Sequence, residues 1–415
     1  MLTNNFMKKV SSLFIALLLL VQVFAQTVSN VDGSKNQFKK VVHLDNTPVE
    51  SQGRTSTCWS FSALSFFESE LLRMGKKDVV PLSEMFIVRH AYEMKAEKFV
   101  RMDGKINFSE GGAFHDIPLV IKKYGIVPQS VYSGITEGGL AGTLPNGKRG
   151  EGYNHKELFA NLEGIMKEVV EVLEAGKGLD KNYKANITSV LDKFLGETPE
   201  KFVVNNKGYT PKTYAQELGL NMDNYVSLTS FTNHEPYKKC LLEIPDNWAW
   251  GESFNVGLDD LVSITNYALK NGFTLAWGAD VSEKGFSFKN GIAIVPKDGV
   301  ITVEGKDNKG FNDAGADRIS ESFLRPVEEL KITTELRQEA YDNKETTDDH
   351  GMHIVGLYTD QNGKNYYYVK NSWGTDNLPK GYLFVSENYF RYKTINIYLH
   401  KDGIPKDFRE KFGLK

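Results

Sequence analysis

Residues 51–60 read SQGRTSTCWS, which places Cys58, one of only two cysteines in the chain, directly before a tryptophan and six positions after Gln52. The apolar residues that follow recur every three or four positions, a spacing that predicts a buried helix beginning near Ser56. Cys58 then lies in the first helical turn, where the positive end of the helix dipole favours the thiolate. On this stretch alone, a buried and inert cysteine is the simpler interpretation.

A second stretch, DDHGMHIVGLY at residues 348–358, contains two histidines at the start of a predicted strand. Side chains alternate along a strand, so His350 and His353 point to opposite faces and only one of them can meet Cys58. A histidine that enters a strand is often merely a loop residue. This stretch therefore suggests a base for the thiol without establishing one.

A third stretch, KNSWGTD at residues 370–376, follows the histidines by one predicted hairpin. The amide oxygen of Asn371 could accept an imidazole N–H, and Trp373 could shield that hydrogen bond from water. A nucleophile paired with a base that is held by an orienting group is the general arrangement for acyl transfer. The side chain of Gln52, with the backbone N–H of Cys58, could stabilise the oxyanion of a tetrahedral intermediate.

Taken together, the patterns Q-x5-C-W, H-x5-G and N-S-W-G resemble those of the papain-like cysteine peptidases. The resemblance implies an α+β fold in which a helical lobe packs on a β-barrel-like lobe, with the substrate cleft between them. It implies four catalytic roles, namely nucleophile Cys58, base His350, orienting residue Asn371 and oxyanion donor Gln52. The family pattern around the histidine favours His350 over His353.

Two departures from the common pattern point to one branch of this family. Thr55 stands where the common signature has a further cysteine, so the associated disulfide cannot form. The base normally follows the nucleophile by about 130–150 residues, whereas here the interval is roughly twice as long. Both features resemble bleomycin hydrolase and the aminopeptidase C group, which carry a helical insertion.

This branch implies removal of N-terminal residues from peptides, with no metal or organic cofactor. In those relatives the C-terminus lies in the cleft, its carboxylate can hold the substrate's ammonium group, and the subunits form hexamers. This chain ends in KDFREKFGLK, which does not closely match the relatives' ends. An endopeptidase with an open cleft, and a peptide-binding protein without activity, are therefore the alternatives.

The resemblance also implies substrate-binding residues. In papain-like enzymes a Gly-Gly edge similar to Gly111 and Gly112 pairs with the peptide near its second subsite, although a simple turn before a helix would explain these glycines equally well. Trp373 is expected beside them in the cleft. Asp348 and Asp349 could pass for metal ligands next to His350, but no second histidine cluster completes a zinc site.

The N-terminus predicts export. A positive start is followed by an apolar run and a small-x-small cleavage site ending at Ala25, which is typical of a signal peptide at residues 1–25. The run is short for a membrane anchor, so we expect a secreted or periplasmic protein without further membrane contact. The net charge of −3 gives no argument for binding nucleic acid.

The order of patterns divides the remaining chain, residues 26–415, into parts of one peptidase domain. We predict a helical lobe at about 40–132, a helical insertion at about 133–223, a β lobe at about 224–400 and a tail at 401–415. If Cys58 is a free thiol, Cys240 has no partner for an intramolecular disulfide.

Overall fold

The computed structural model describes residues 27–136, 152–304 and 317–414. The predicted signal segment, 1–25, lies outside the described residues. None of the helices in the described ranges combines the length and the apolar character that crossing a membrane requires. Both cysteines are free thiols.

Helices dominate the first half of the described chain and are sparser in the second. In chain order they are α1 Cys58–Arg73, α2 Glu84–Arg101, α3 Asp116–Tyr124, α4 Lys156–Glu174, α5 Tyr183–Leu195, α6 Pro211–Leu218, α7 Leu258–Lys270, α8 Thr334–Asp342, α9 Glu387–Lys393 and α10 Lys406–Phe412.

Strands dominate the second half, as the sequence predicts. They are β1 Thr27–Val28, β2 Phe38–His43, β3 Phe202–Val204, β4 Lys207–Tyr209, β5 Tyr225–Thr229, β6 Lys239–Leu241, β7 Glu252–Asn255, β8 Leu275–Ala279, β9 Phe286–Ser287, β10 Ile292–Ala293, β11 Thr302–Glu304, β12 Asp317–Ile319, β13 His350–Asp360, β14 Asn365–Lys370, β15 Tyr382–Ser386 and β16 Thr394–His400.

The helical half shares one apolar core with the insertion. Helix α1 is buried on nearly all sides, because apolar side chains occupy most of its positions. The amphipathic helices α4 and α5 turn their apolar faces into the same core, which includes Phe67, Tyr92, Leu162, Ile187 and Leu191. The insertion therefore extends the helical lobe rather than forming a separate body.

The β half is built around the long strand β13, which begins at His350. In the large sheet the order is β6-β7-β5-β16-β8-β13-β14-β15-β10-β9, and β2 also pairs with β13. Most neighbours are antiparallel, while β5 with β7 and β10 with β15 are parallel. Strand β2 lies where the sequence suggested the helical lobe begins. Only Phe38 of β2 is buried, so the strand shows no alternation of buried and exposed side chains.

Helix α1 crosses β13 at very short range. A Cβ atom on Gly351 would lie 2.7 Å from the Ser62 hydroxyl oxygen and 3.4 Å from the Cys58 carbonyl oxygen. Only glycine permits this approach between a strand and a helix. The contact brings the start of β13 beside the first turn of α1.

The tail packs on the β lobe. The ring of Phe412 in α10 stacks on Phe254 of β7, with centroids 4.7 Å apart. Phe408 and Leu414 join the same apolar core. The described part of the tail contributes no residue to the cleft between the lobes.

A buried arginine ties together segments of the β lobe. Arg337 of α8 is 1% exposed, and its guanidinium donates to the carbonyl oxygens of Ser230, Arg391, Tyr392 and Thr394 at 2.5–3.3 Å. Replacing it would leave these buried carbonyl groups without their donor.

We therefore expect Arg337→Met to lower the free energy of unfolding by about 2–3 kcal/mol, since several buried acceptors lose a charged donor. The measurement is the urea midpoint followed by tryptophan fluorescence. Arg325→Met, which removes the same charge at an exposed position, is the control and should change stability by less than about 0.5 kcal/mol. Equal effects of the two substitutions would contradict this account.

Candidate active site

A cleft opens between the first turn of α1 and the start of β13. It contains about 580 Å³ of space that no atom fills, counting its open mouth. Its lining comes from three parts of the fold. The helical lobe provides Ser56, Cys58, Trp59 and 111–114, and the β lobe provides Gly278, 348–351 and Asn396. The loop between β6 and β7 provides Ile244 and Asp246.

The thiol of Cys58 is at the first residue of α1 and is 8% exposed. The preceding Thr57 makes no side-chain cap, and among the described residues the backbone N–H of Cys58 itself has no hydrogen-bond partner. Burial raises the pKa of the Cys58 thiol to about 12; the charges of Asp348 and Asp246 contribute to this rise, while hydrogen bonds from the backbone N–H groups of Gly351 and Trp59 oppose it. The helix position alone predicts the opposite direction. Loss of hydration outweighs the helix dipole here.

The imidazole of His350 lines the same cleft and is 2% exposed. Its Nε2 atom lies 2.7 Å from the Asn371 amide oxygen, and its Nδ1 atom is buried without a hydrogen-bond partner among the described residues. Burial lowers the pKa of His350 to about 4. Since Nε2 is held by Asn371, Nδ1 is the nitrogen free to exchange a proton with Cys58. No hydrogen bond joins it to the sulfur in this structure.

The second histidine lies on the other face of β13. His353 Nδ1 is 2.9 Å from the Ser65 hydroxyl, which also accepts a hydrogen bond from Lys370. His353 lines a different cavity, together with Ser65 and Lys370. The alternation expected of a strand thus places His350, and not His353, in the cleft with Cys58.

The ring of Trp373 covers the imidazole. Its centroid is 4.6 Å from that of His350, and Phe286 and Phe288 pack edge-on against the indole. This apolar cover keeps water from the bond between His350 and Asn371. Trp373 lies beside the imidazole and is not among the residues that line the cleft, where it was expected to bind substrate.

A chain of hydrogen bonds connects the imidazole with Gln52. The Ser372 backbone N–H donates to the Asn371 amide oxygen, and the Ser372 hydroxyl donates to Gln52 Oε1 at 2.6 Å. Gln52 Nε2 donates to the Thr55 carbonyl at 2.7 Å. The amide of Gln52, which is 0% exposed, therefore has a fixed orientation with one N–H left over. Ser372 was missed by sequence reasoning, although it follows Asn371 directly.

The two glycines predicted at the substrate edge differ from each other. A Cβ on Gly111 would lie 1.8 Å from the Asp246 carboxylate, and the Gly111 carbonyl accepts a hydrogen bond from buried Lys95. Gly112 packs on the ring of Trp59, where a Cβ would be 2.8 Å away. Within the described residues, the backbone N–H and carbonyl of Gly112 have no hydrogen-bond partner. Gly112 alone therefore offers an open edge.

No group of three or more histidine, cysteine, aspartate or glutamate side chains in the described ranges is arranged to hold a metal ion. Asp349 also lines the cleft, and its carboxylate accepts hydrogen bonds from the backbone N–H groups of Val281 and Ser282.

Comparisons with known proteins agree with this geometry. The Peptidase C1-like family matches residues 4–309 and 327–414. Aminopeptidase C of Lactococcus lactis subsp. lactis is 23% identical over 403 residues, covering 88% of this chain and 83% of that protein. Aminopeptidase G of Lactobacillus delbrueckii subsp. lactis is 23% identical over 410 residues, covering 90% and 85%.

A solved structure shows the same fold. The crystal structure of PepW from Lactobacillus rhamnosis HN001 superposes with a TM-score of 0.65 at 19% identity, covering 90% of this chain and 84% of that one. The fold and the family together define a papain-like cysteine peptidase, which confirms the predicted fold class. The chain belongs to the Peptidase C1-like family.

The charges near the thiol give a prediction on its reactivity. Asp348 raises the pKa of Cys58, so Asp348→Asn should lower that pKa and increase the thiolate fraction at any given pH below it. We expect iodoacetamide, a neutral reagent, to alkylate the variant roughly threefold to tenfold faster at pH 8. Asp376→Asn removes the same charge at an exposed position and should leave the rate unchanged. A slower rate in Asp348→Asn would contradict the assigned electrostatics.

Proposed function

We propose that this protein is a cysteine aminopeptidase that removes N-terminal residues from peptides. One observation carries the proposal: Cys58 and the unpartnered Nδ1 of His350 line one cleft, while Asn371 holds the other imidazole nitrogen. This is the arrangement that acyl transfer from a peptide to a thiol requires.

The proposed reaction begins with transfer of the Cys58 thiol proton to His350 Nδ1. The thiolate attacks the peptide carbonyl carbon, so that a carbon–sulfur bond forms and the carbonyl oxygen becomes an oxyanion. When the carbon–nitrogen bond breaks, His350 returns its proton to the leaving amine. Water then attacks the thioester with His350 as base, which releases the acid and restores the thiol.

Two donors are available for the oxyanion. One is the backbone N–H of Cys58, which has no hydrogen-bond partner among the described residues. The other is the remaining amide N–H of Gln52, whose orientation Ser372 and Thr55 fix; this side chain is fully buried and is not among the residues that line the cleft, so it would act from behind the cleft wall. Groups held in place before the reaction stabilise a developing charge without having to reorganise.

Two features favour an aminopeptidase over an endopeptidase. The similar proteins from Lactococcus lactis and Lactobacillus delbrueckii are named aminopeptidases. In addition, Asp246 lies against Gly111 in the wall of the cleft, where its carboxylate would obstruct a peptide that continues past Gly111. A peptide-binding protein without activity would have no need for the complete set of Cys58, His350, Asn371 and Gln52.

The site of action is also a proposal. The positive start, apolar run and small-x-small site at residues 1–25 support export to the periplasm or the exterior. Peptide substrates would then be those of that compartment. Assembly into a hexamer, which the resemblance implies, stays a prediction.

The test is a panel of aminoacyl fluorogenic amides, each assayed with a free and with an acetylated α-amine. The wild-type protein should hydrolyse the free amines at least about tenfold faster than the acetylated forms. Cys58→Ala should abolish hydrolysis of both, because a peptidase nucleophile supplies most of the rate enhancement.

Cys240→Ala serves as the matched control, since Cys240 is the only other cysteine and lies on β6 outside the cleft. It should retain wild-type hydrolysis. Equal hydrolysis of free and acetylated amides would show an endopeptidase. Undiminished hydrolysis by Cys58→Ala would overturn the cysteine mechanism altogether.

A further inference from the structure

Two carboxylates line the cleft beside the thiol. Asp246 comes from the loop between β6 and β7, and its Oδ1 accepts hydrogen bonds from Asn107 at 2.6 Å and Ser109 at 2.8 Å. Its Oδ2 is the atom that lies closest to Gly111. Asn107 and Ser109 thus fix one oxygen of the Asp246 carboxylate, and the other oxygen faces Gly111.

Asp348 comes from the other lobe, two residues before His350. Its carboxylate has neither a hydrogen bond nor an ion pair with any described residue, unlike the neighbouring Asp349, which accepts from Thr347 and Ser282. Burial and the charges of Asp246 and Asp349 raise the pKa of Asp348 well above its usual range. This is the expected state of a carboxyl group that faces other anions and lacks a cation.

The cation nearest to Asp246 is already engaged. The ammonium group of Lys95 is buried behind Gly111 and donates to the carbonyl oxygens of Ser109 and Gly111. Its charge acts on Asp246, but it forms no ion pair with either cleft carboxylate. Among the described residues, therefore, no cation forms an ion pair with either of these two cleft carboxyl groups.

An independent feature shows that a ligand belongs in this cleft. His350 Nδ1 is buried, unpartnered and lines the same space. A buried polar atom without a partner is rare in a folded protein unless a ligand or water completes it. The unpaired backbone groups of Gly112 lie on the same wall and suit the main chain of a short peptide.

We propose that Asp246 and Asp348 together bind the free α-ammonium group of the substrate and so restrict cleavage to its first residues. The inference rests on the proposed function, because it concerns the same cleft. A peptide whose main chain pairs with Gly112 and whose carbonyl reaches Cys58 meets the Asp246 carboxylate at Gly111, where the cleft edge is filled.

The ligand chemistry is a primary ammonium group, which could also come from a lysine side chain. The closed edge at Gly111 favours the α-ammonium. A lysine side chain would require an additional residue upstream in the space that Asp246 occupies. The experiment separates these two sources.

The experiment compares Asp246→Asn, Asp348→Asn and the double variant with the wild type. The first two substrates are an aminoacyl fluorogenic amide with a free amine and its acetylated form. Two further substrates extend the same amide at its N-terminus, one by acetyl-lysine, which has a side-chain ammonium group, and the other by acetyl-norleucine, which has none. We expect each single variant to raise KM for the free amine about tenfold, as expected for loss of one charge-assisted hydrogen bond. The double variant should show a larger rise, with hydrolysis of the acetylated amide unchanged or faster.

Iodoacetamide alkylation of Cys58 is the readout that a damaged site would alter. It should be threefold to tenfold faster in Asp348→Asn and at least as fast as in the wild type in the other two variants, and Asp376→Asn should match the wild type in every assay. Equal losses on free and acetylated substrates, or no loss on either, would overturn the proposal. So would a wild-type preference for acetyl-lysyl over acetyl-norleucyl substrates that the variants abolish. Failure of the proposed function is distinct, since it would appear as hydrolysis that persists in Cys58→Ala.

Discussion

The arrangement of the cleft depends on the close approach of helix α1 to strand β13 at Gly351. A side chain at this position would crowd the Ser62 hydroxyl and touch the Cys58 carbonyl oxygen. Because the two elements touch, the first residue of the helix and the first residue of the strand line one cleft although they are far apart along the chain. Both lobes hold this contact in place. The apolar core around α1 fixes the helix, and β8 and β14 pair with β13 on its two sides.

The same close packing sets the electrostatics of the site. Burial raises the pKa of Cys58 and lowers that of His350, so at neutral pH the resting pair consists of a thiol and a neutral imidazole. Proton transfer between them creates two opposite charges in a space with little water, where their attraction is strong. The hydrogen bond that His350 Nε2 donates to the Asn371 amide oxygen favours the charged imidazole, whereas the burial to which Trp373 contributes disfavours it. The carboxylates Asp246 and Asp348 oppose the thiolate, and an ammonium group bound between them would remove that opposition.

Much of this structure was predictable from the sequence, and the limits have physical causes. Periodicity predicted α1 and the strands around β13, and the fold class is confirmed. The hairpin of β3 and β4 was missed, although Asn205 and Asn206, both with positive φ, are a recognisable turn signal. The role of Asp246 had no signal, because a loop far along the chain brings it to Gly111. Nor could the pattern D-D-H predict that Asp349 accepts hydrogen bonds while Asp348 does not. The backbone donors to Asp349 are Val281 and Ser282, which follow β8 and are distant in sequence.

The central claim is that the imidazole of His350 takes the proton of the Cys58 thiol. Its most direct test is the rate of iodoacetamide alkylation between pH 5 and 9, in a Cys240→Ala background with and without His350→Ala. The account predicts that loss of the imidazole slows alkylation at pH 6.5 by at least about tenfold, because the thiol then has no base that takes up its proton as the sulfur reacts. Identical rates with and without His350 across this range would contradict it.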